Sequence, residues 1–380
     1  MPKLNDHGLG GGGKALGVPV YPLNNVTALQ KDDVNGTWQS FFGETTATAP
    51  VQLQNHASSV YGDEMYFIGT KSDAQLCYKY NVKTRVWTQL AKTPIADEKY
   101  WAVTLNTDIW YVAGTKIYRY DILTDTHHSI ATTPYTMGGT KACTDGQYIY
   151  SFGGGSSSTD QYKAYKFDTT NNTFTQLASI TTMMTQHGCV YGGDGYVYLF
   201  GGSTNPTISY KYNIANNSYT ALSTIPFNYS KGMICQIDNY IYLLCSGHTS
   251  NDRTTYVFDI NSGTYFNLTS PPNGRALGHA GVVDDAIYMI GGTLNSSSYY
   301  YTGDSMLALK VITSNVAIQK LLKGTKCYTD GDVKVDAVKE AIGQYVLNGG
   351  TTLEKTNGAV TIPTDGEYAL VGSNYATIGG

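Results

Sequence analysis

Charge is what this chain has least of. Only 14% of its 380 residues are charged, arginine occurs four times (Arg85, Arg119, Arg253 and Arg275), and the formal net charge is −4. Basic side chains spread this thinly make no patch able to neutralise a phosphate backbone, so nucleic acid is not expected as a partner. Long hydrophobic runs are missing too. Nothing approaches the roughly 18 apolar residues of a membrane-spanning helix, so membrane insertion is not expected, and the opening residues 1–9 hold no apolar signal-peptide core. The six cysteines, at 77, 143, 189, 235, 245 and 327, include no CxxC pair and no dense cluster. They read as small buried hydrophobes, not as zinc ligands or a disulfide framework. No paired carboxylates, nucleophile elbow or Cys-His arrangement stands out. The chain is therefore read as non-enzymatic, with no catalytic residue, no cofactor and no metal assigned.

What the chain has in quantity is glycine (42) and tyrosine (33), with Thr, Ser and Asn between short apolar runs, a mixture that suits strands and turns. One phrase recurs six times. Aligned on its aromatic, it reads Met65-Tyr66, Ile109-Trp110, Ile149-Tyr150, Val197-Tyr198, Ile241-Tyr242 and Ile287-Tyr288, at spacings of 44, 40, 48, 44 and 46. A period in the forties marks a repeat architecture. Within each period, Asp/Gly turns such as Gly62-Asp63 and Asp145-Gly146 separate a first strand from the Tyr-centred second one. Small residues follow: Gly153-Gly154, Gly201-Gly202 and Gly291-Gly292, loosened to Gly69, Ala113-Gly114 and Cys245-Ser246 elsewhere. A third strand has aromatics two apart, as in Tyr78-Lys79-Tyr80-Asn81 and Tyr210-Lys211-Tyr212-Asn213. A fourth carries an aromatic anchor, Trp87, Phe174, Tyr219 or Tyr265, with His128 in the second repeat.

Four strands with a Gly-Gly after the second, a Tyr-x-Tyr/Phe-Asp third and a Trp-type fourth resemble the Kelch repeat of β-propellers over about residues 53–311. The resemblance implies an all-β, six-bladed propeller, each repeat being one blade that cannot bury its own faces. The sixth repeat lacks a fourth strand after Met306–Val311. Asn35-Gly36-Thr37-Trp38-Gln39-Ser40-Phe41 reads like that missing piece, so residues 36–41 are expected to close the last blade and remove its open edge. The expected organisation is a flexible Gly-rich arm over 1–25, the propeller over 26–311, and a small α+β attachment or oligomerisation module over 312–380. In that module Asp336 would cap a helix through Val346, and 358–362 and 368–371 would be strands. Asp330-Gly331-Asp332 is a poor calcium loop, because Ala341 stands where a bidentate Glu is needed.

Topology places the second-to-third-strand loops and the blade-to-blade loops on one face. These carry Tyr100, Trp101, Tyr135, Met183, Met184, Phe227, Tyr229, Tyr299, Tyr300 and Tyr301 among Ser, Asn and Thr, the chemistry of adaptable recognition surfaces. Tyr100, Trp101, Tyr135, Phe227, Tyr229, Tyr299, Tyr300 and Tyr301 are the candidate ligand-binding residues. Aromatics that stack on sugar rings beside amides and hydroxyls favour a cell-surface glycan over a charged polymer, with a protein receptor as the other target. His56, His187 and His279, at the start of three first strands, could bind copper or zinc but are read as structural. Low charge, Asn/Thr/Tyr-rich strands and the Gly-rich arm resemble bacteriophage tail-fibre and baseplate proteins. That resemblance implies a virion component made in the bacterial cytoplasm, with other particle proteins or copies of itself as partners. The rival readings are an intracellular Kelch-type adaptor and a carbohydrate-active propeller enzyme of oxidase or sugar-mutarotase type.

Overall fold

The structure is a computed structural model. It describes residues 49–292, apart from 52, 54, 55, 71, 72, 247–251, 269, 272, 273, 275, 284 and 285, together with the strands 20–21, 37–40, 293–295, 299–300, 307–310, 317–321, 326–328, 345–347, 352–353, 359–361 and 366–370. The chain divides into two compact units, Asn35–Val311 and a second formed by Met1–Val34 with Ile312–Gly380.

In the larger unit, five antiparallel sheets are each built from four consecutive strands. Blade one comprises Ala57–Tyr61, Glu64–Ile68, Cys77–Asn81 and Val86–Leu90. Blades two to five repeat the plan from inner strands Lys99–Leu105, Lys141–Thr144, Gly188–Tyr191 and Met233–Ile237. A sixth sheet combines His279–Val283, Ala286–Ile290 and Leu307–Lys310 with Thr37–Ser40 from the start of the chain. There Trp38 pairs with Leu309 and Gln39 with Ala308, so the N-terminal strand supplies the missing edge. Each inner strand packs against the next, and the sixth packs against the first. The sheets therefore stand radially around an axis, a β-propeller.

The repeated phrases have local causes. In the first five blades the Asp or Asn ending the third strand accepts backbone N–H groups of the following turn. Asn81 Oδ1 takes those of Lys83 and Thr84, Asp121 Oδ1 those of Leu123 and Thr124, and Asn213 Oδ1 those of Ala215 and Asn216. This is the Asx turn that favours these residues. The next blade-facing element is a ring pair: Tyr80 with Trp87, Phe167 with Phe174, Tyr212 with Tyr219 and Phe258 with Tyr265 lie 4.6–5.0 Å apart between centroids. In blade two the register puts His127, not His128, opposite Tyr120, with centroids 4.7 Å apart. His128 forms part of the exposed edge.

The glycine pair meets the neighbouring blade. The second glycine donates its N–H to a carbonyl of the next junction, Gly154 to Met184, Gly202 to Tyr229 and Gly292 to Leu53, at 2.7, 2.8 and 2.7 Å. A Cβ on Gly201 would sit 2.1 Å from the Tyr229 carbonyl oxygen, and the residue is left-handed (φ +62°), so only glycine fits. Blade one has Gly69-Thr70 instead. Here the Lys99 ammonium of blade two donates to the carbonyls of Ala74, Ile95 and Asp97 at 2.6–2.8 Å, and its stem packs against Gly69. The described cysteines Cys77, Cys143, Cys189, Cys235 and Cys245 are buried and unpaired by disulfides.

In the second unit, Val20–Tyr21, Ala317–Leu321, Gly366–Leu370, Tyr345–Leu347 and Thr352–Leu353 form one sheet, and Lys326–Tyr328 pairs with Ala359–Thr361. The strands expected near 358–362 and 368–371 are present. The helix expected from Asp336 is corrected at its end. Tyr345 and Val346 belong to a strand paired with Leu370 and Ala369, because β-branched and aromatic residues gain more from a sheet partner than from helical spacing. Of the arm expected to be flexible over 1–25, Val20–Tyr21 is a strand paired with Ile318 and Gln319; the rest of the arm, the rest of that helix and the Asp330–Asp336 stretch lie outside the described residues.

Candidate functional site

The junction entering each inner strand follows one pattern. Eight residues before Trp101, Lys141, Gly188 and Met233 of the inner strands, Thr93, Thr133, Ile180 and Ile225 are buried, and each donates its N–H to the preceding blade's own second-to-third-strand loop. Two positions later come Ile95, Tyr135, Thr182 and Phe227, all part-exposed. Two further on, Met137, Met184 and Tyr229 are fully buried, as is Leu53 before blade one. Next, Gly139, Gln186, Lys231 and Leu277 all adopt left-handed backbone. They form a belt, with Gln186 N–H to the Gly139 carbonyl, Lys231 to Gln186 and Leu277 to Lys231, at 2.8–2.9 Å. One residue per junction therefore plugs the gap between blades, while its neighbours face outward.

This pattern sorts the candidate ligand residues. Tyr229 is a plug, completely buried, with its hydroxyl donating to the Met233 carbonyl at 2.9 Å. Trp101 is only 4% exposed and packs with Phe167, Ile149 and Met137 of blade three. Both were expected on the surface. They are core residues, because the inner strand and the plug are where adjoining blades must exclude water. Tyr100, Tyr135 and Phe227 remain part-exposed on the junction face. Phe227 stacks on Tyr256 at 5.0 Å and 15°. Tyr135 donates to the Gly153 carbonyl at 2.7 Å and lies under the Lys163 ammonium. Burial raises its hydroxyl pKa to about 12. The Tyr100 hydroxyl has no partner among the described residues. The second-to-third-strand loops of blades three and four carry the exposed residues Ser156, Ser157, Ser158, Ser203 and Thr204. Of the remaining candidates, Tyr299 and Tyr300 form a short strand paired with Thr293–Asn295, and Tyr301 lies outside the described residues. Gln186 and Ser203, joined at 2.6 Å, were not singled out from sequence. Their only signal was position, one residue before His187 and just after the Gly-Gly pair.

The three histidines sit together at the same end of the inner strands. His56 and His279 both pack on the Phe67 ring, at centroid distances of 5.2 and 6.3 Å. Each of His56, His187 and His279 has its pKa lowered to about 3, chiefly by burial and then by neighbouring positive groups, Lys141 in every case. Among the described residues no three His, Cys, Asp or Glu side chains converge to hold a metal ion. Nor is any helix among them long and apolar enough to cross a membrane.

Comparison with known proteins fits this geometry. The Kelch motif family profile matches residues 137–181, the stretch from the plug Met137 through blade three to the next junction. The solved structure of YjhT is similar, at 12% identity, covering 73% of this chain and 97% of that one, with a TM-score of 0.57. At that identity the likeness concerns the fold alone. In all, 1135 solved chains match, and a fold shared so widely selects no activity by itself. No curated protein matches in sequence.

Proposed function

We propose that this Kelch-type β-propeller is a non-catalytic recognition module whose ligand seats on the face formed by the blade junctions and the second-to-third-strand loops. An interaction module is the coarser reading that a Kelch propeller supports. The observation that carries the finer one is the combination, on a single face, of rigidly held part-exposed rings with hydroxyl-rich loops. Phe227 is fixed by stacking and Tyr135 by its hydrogen bond, so little conformational entropy is lost when a ligand covers them. Tyr100 offers a free hydroxyl. Such a surface suits a cell-surface glycan, whose apolar ring faces stack on aromatics while Ser and Thr meet its hydroxyls, or a protein receptor with the same polar character. Composition is the support for a setting on a bacteriophage-like particle.

The test is binding of the Tyr100→Ala, Phe227→Ala double variant to a panel of immobilised cell-surface polysaccharides and receptor proteins. Binding should weaken by roughly tenfold or more, as for loss of two interface anchors, with the melting point lowered by only a few degrees. Undiminished binding to every ligand of the unaltered protein would remove this face from the account.

A further inference from the structure

The axial channel carries an unbalanced set of polar groups that the junction face does not use. Pairing of inner to second strands fixes their level. Ala57 opposes Ile68, Trp101 opposes Val112, Lys141 opposes Phe152, Gly188 opposes Phe200, Met233 opposes Leu244 and His279 opposes Ile290. These six residues form one ring around the axis. One residue earlier stand His56, Tyr100, Thr140, His187, Gly232 and Gly278, the adjacent ring. Lys141, His56, His187, His279 and Trp101 therefore stand at the same end of the inner strands, on five different blades.

Their polar atoms are not satisfied by the protein. Both ring nitrogens of His56 and of His187, Nε2 of His279 and Nε1 of Trp101 are buried without a hydrogen-bond partner. His187 is only 2% exposed and Trp101 4%. Buried polar groups left like this are rare and costly unless water or an ion completes them. Lys141 makes no ion pair among the described residues, and burial lowers its pKa. Its charge nevertheless acts on His56, His187 and His279, on blades one, four and six. Among the described residues no carboxylate figures among the groups acting on the three histidines or the lysine, and Cys189 is the group that acts on Lys141. Every member of the set can donate a hydrogen bond, and none is anionic.

We propose that this end of the channel binds a small oxyanion, a carboxylate or phosphate group held by the Lys141 ammonium and by N–H donors of the histidines and Trp101. Each neutral imidazole presents one N–H donor beside one acceptor nitrogen, Trp101 presents a donor and Lys141 a positive charge, so an oxyanion is the ligand group that can accept from all of them, through charge-assisted hydrogen bonds that are strong in a low-dielectric site. The proposal does not depend on what the outer loops recognise.

The test is a pair of titrations of the full-length protein, followed by histidine imidazole 1H–15N spectra at constant ionic strength and pH 7.5. Sodium acetate is the probe in one and inorganic phosphate in the other. Resonances of His56, His187 and His279, assigned by single His→Gln variants, should shift saturably with at least one probe, while those of His127, which is bonded to the Tyr111 hydroxyl and the Ala91 carbonyl, stay fixed. Saturation by acetate alone assigns the site to carboxylates, and by phosphate alone to phosphate groups. Lys141→Met should weaken that binding by about tenfold or more, and Lys141→Arg should retain most of it. If neither probe produces a saturable shift in the unaltered protein, the groups are satisfied by water and the proposal fails. It fails equally if Lys141→Met binds as the unaltered protein does.

Discussion

A side chain's chemistry does not say which way it faces in this chain, and the consequences differ sharply. Tyr229 and Phe227 are two residues apart in one loop, yet one is a plug and the other a part-exposed ring. Tyr229→Ala should cost about 3–5 kcal/mol, as removal of a fully buried aromatic does. The check is chemical denaturation of the variant beside Phe227→Ala, which should lose far less. The channel histidines give a second expectation. Their folded pKa values, about 3, lie below the ordinary 6.5, so the unfolded chain binds more protons between those values. Their contribution to stability is complete above pH 6.5 and is lost as pH falls toward 3. Replacing His187 by Gln should therefore flatten the fall of stability with acid over that window, read as denaturation midpoint against pH. An unchanged slope would mean that His187 takes up its proton alike in the folded and unfolded protein.

Between elements, blades are clasped by a device that tolerates substitution if its chemistry is kept. In blade four the Tyr219 hydroxyl donates to the Ala178 carbonyl at 3.0 Å, while the Ala178 N–H reaches Asn217 Oδ1 at 2.8 Å. Blade two does the same with different residues. His127 Nε2 meets the Ala91 carbonyl at 3.0 Å, and the Ala91 N–H reaches Asp125 Oδ1 at 2.9 Å. Because the Ala91 carbonyl can only accept, His127 carries its proton on Nε2, and the Tyr111 hydroxyl donates to Nδ1 at 3.1 Å. The histidine thus replaces a tyrosine by keeping a donor at the same point. His127→Phe, which strands the carbonyl, should destabilise the protein by about 1–3 kcal/mol, and His127→Tyr by appreciably less, as thermal melting of the two variants would show. Equal losses would mean that only ring packing matters there.

At the scale of the whole molecule, the ring order, the Gly-Gly contacts and the borrowed closing strand were legible in the sequence, because they rest on period and on residues with few substitutes. The facing of loop aromatics was less so. Tyr229 shares its phase with Leu53, Met137 and Met184, four residues before the first inner-strand pairing position. That phase could have marked it as core, but only once register was known, since an aromatic that plugs and one that projects are spelled alike. Register also decided between His127 and His128, where a bulge between Ser129 and Ala131 obscures the count. At Tyr345 and Val346 apolar spacing suited a helix as well as a strand, and the sheet partner decided it.

The central claim is that the blades function as a closed ring and that the strand Thr37–Ser40 closes it. An open sixth sheet would leave Leu307–Lys310 with an unpaired edge, a template for aggregation. The most direct measurement is thermal unfolding and solubility of the protein lacking residues 1–42, beside the full-length chain. The account predicts that the truncated protein is insoluble or melts well below the intact one. A soluble truncated protein that melts at the same temperature would contradict it.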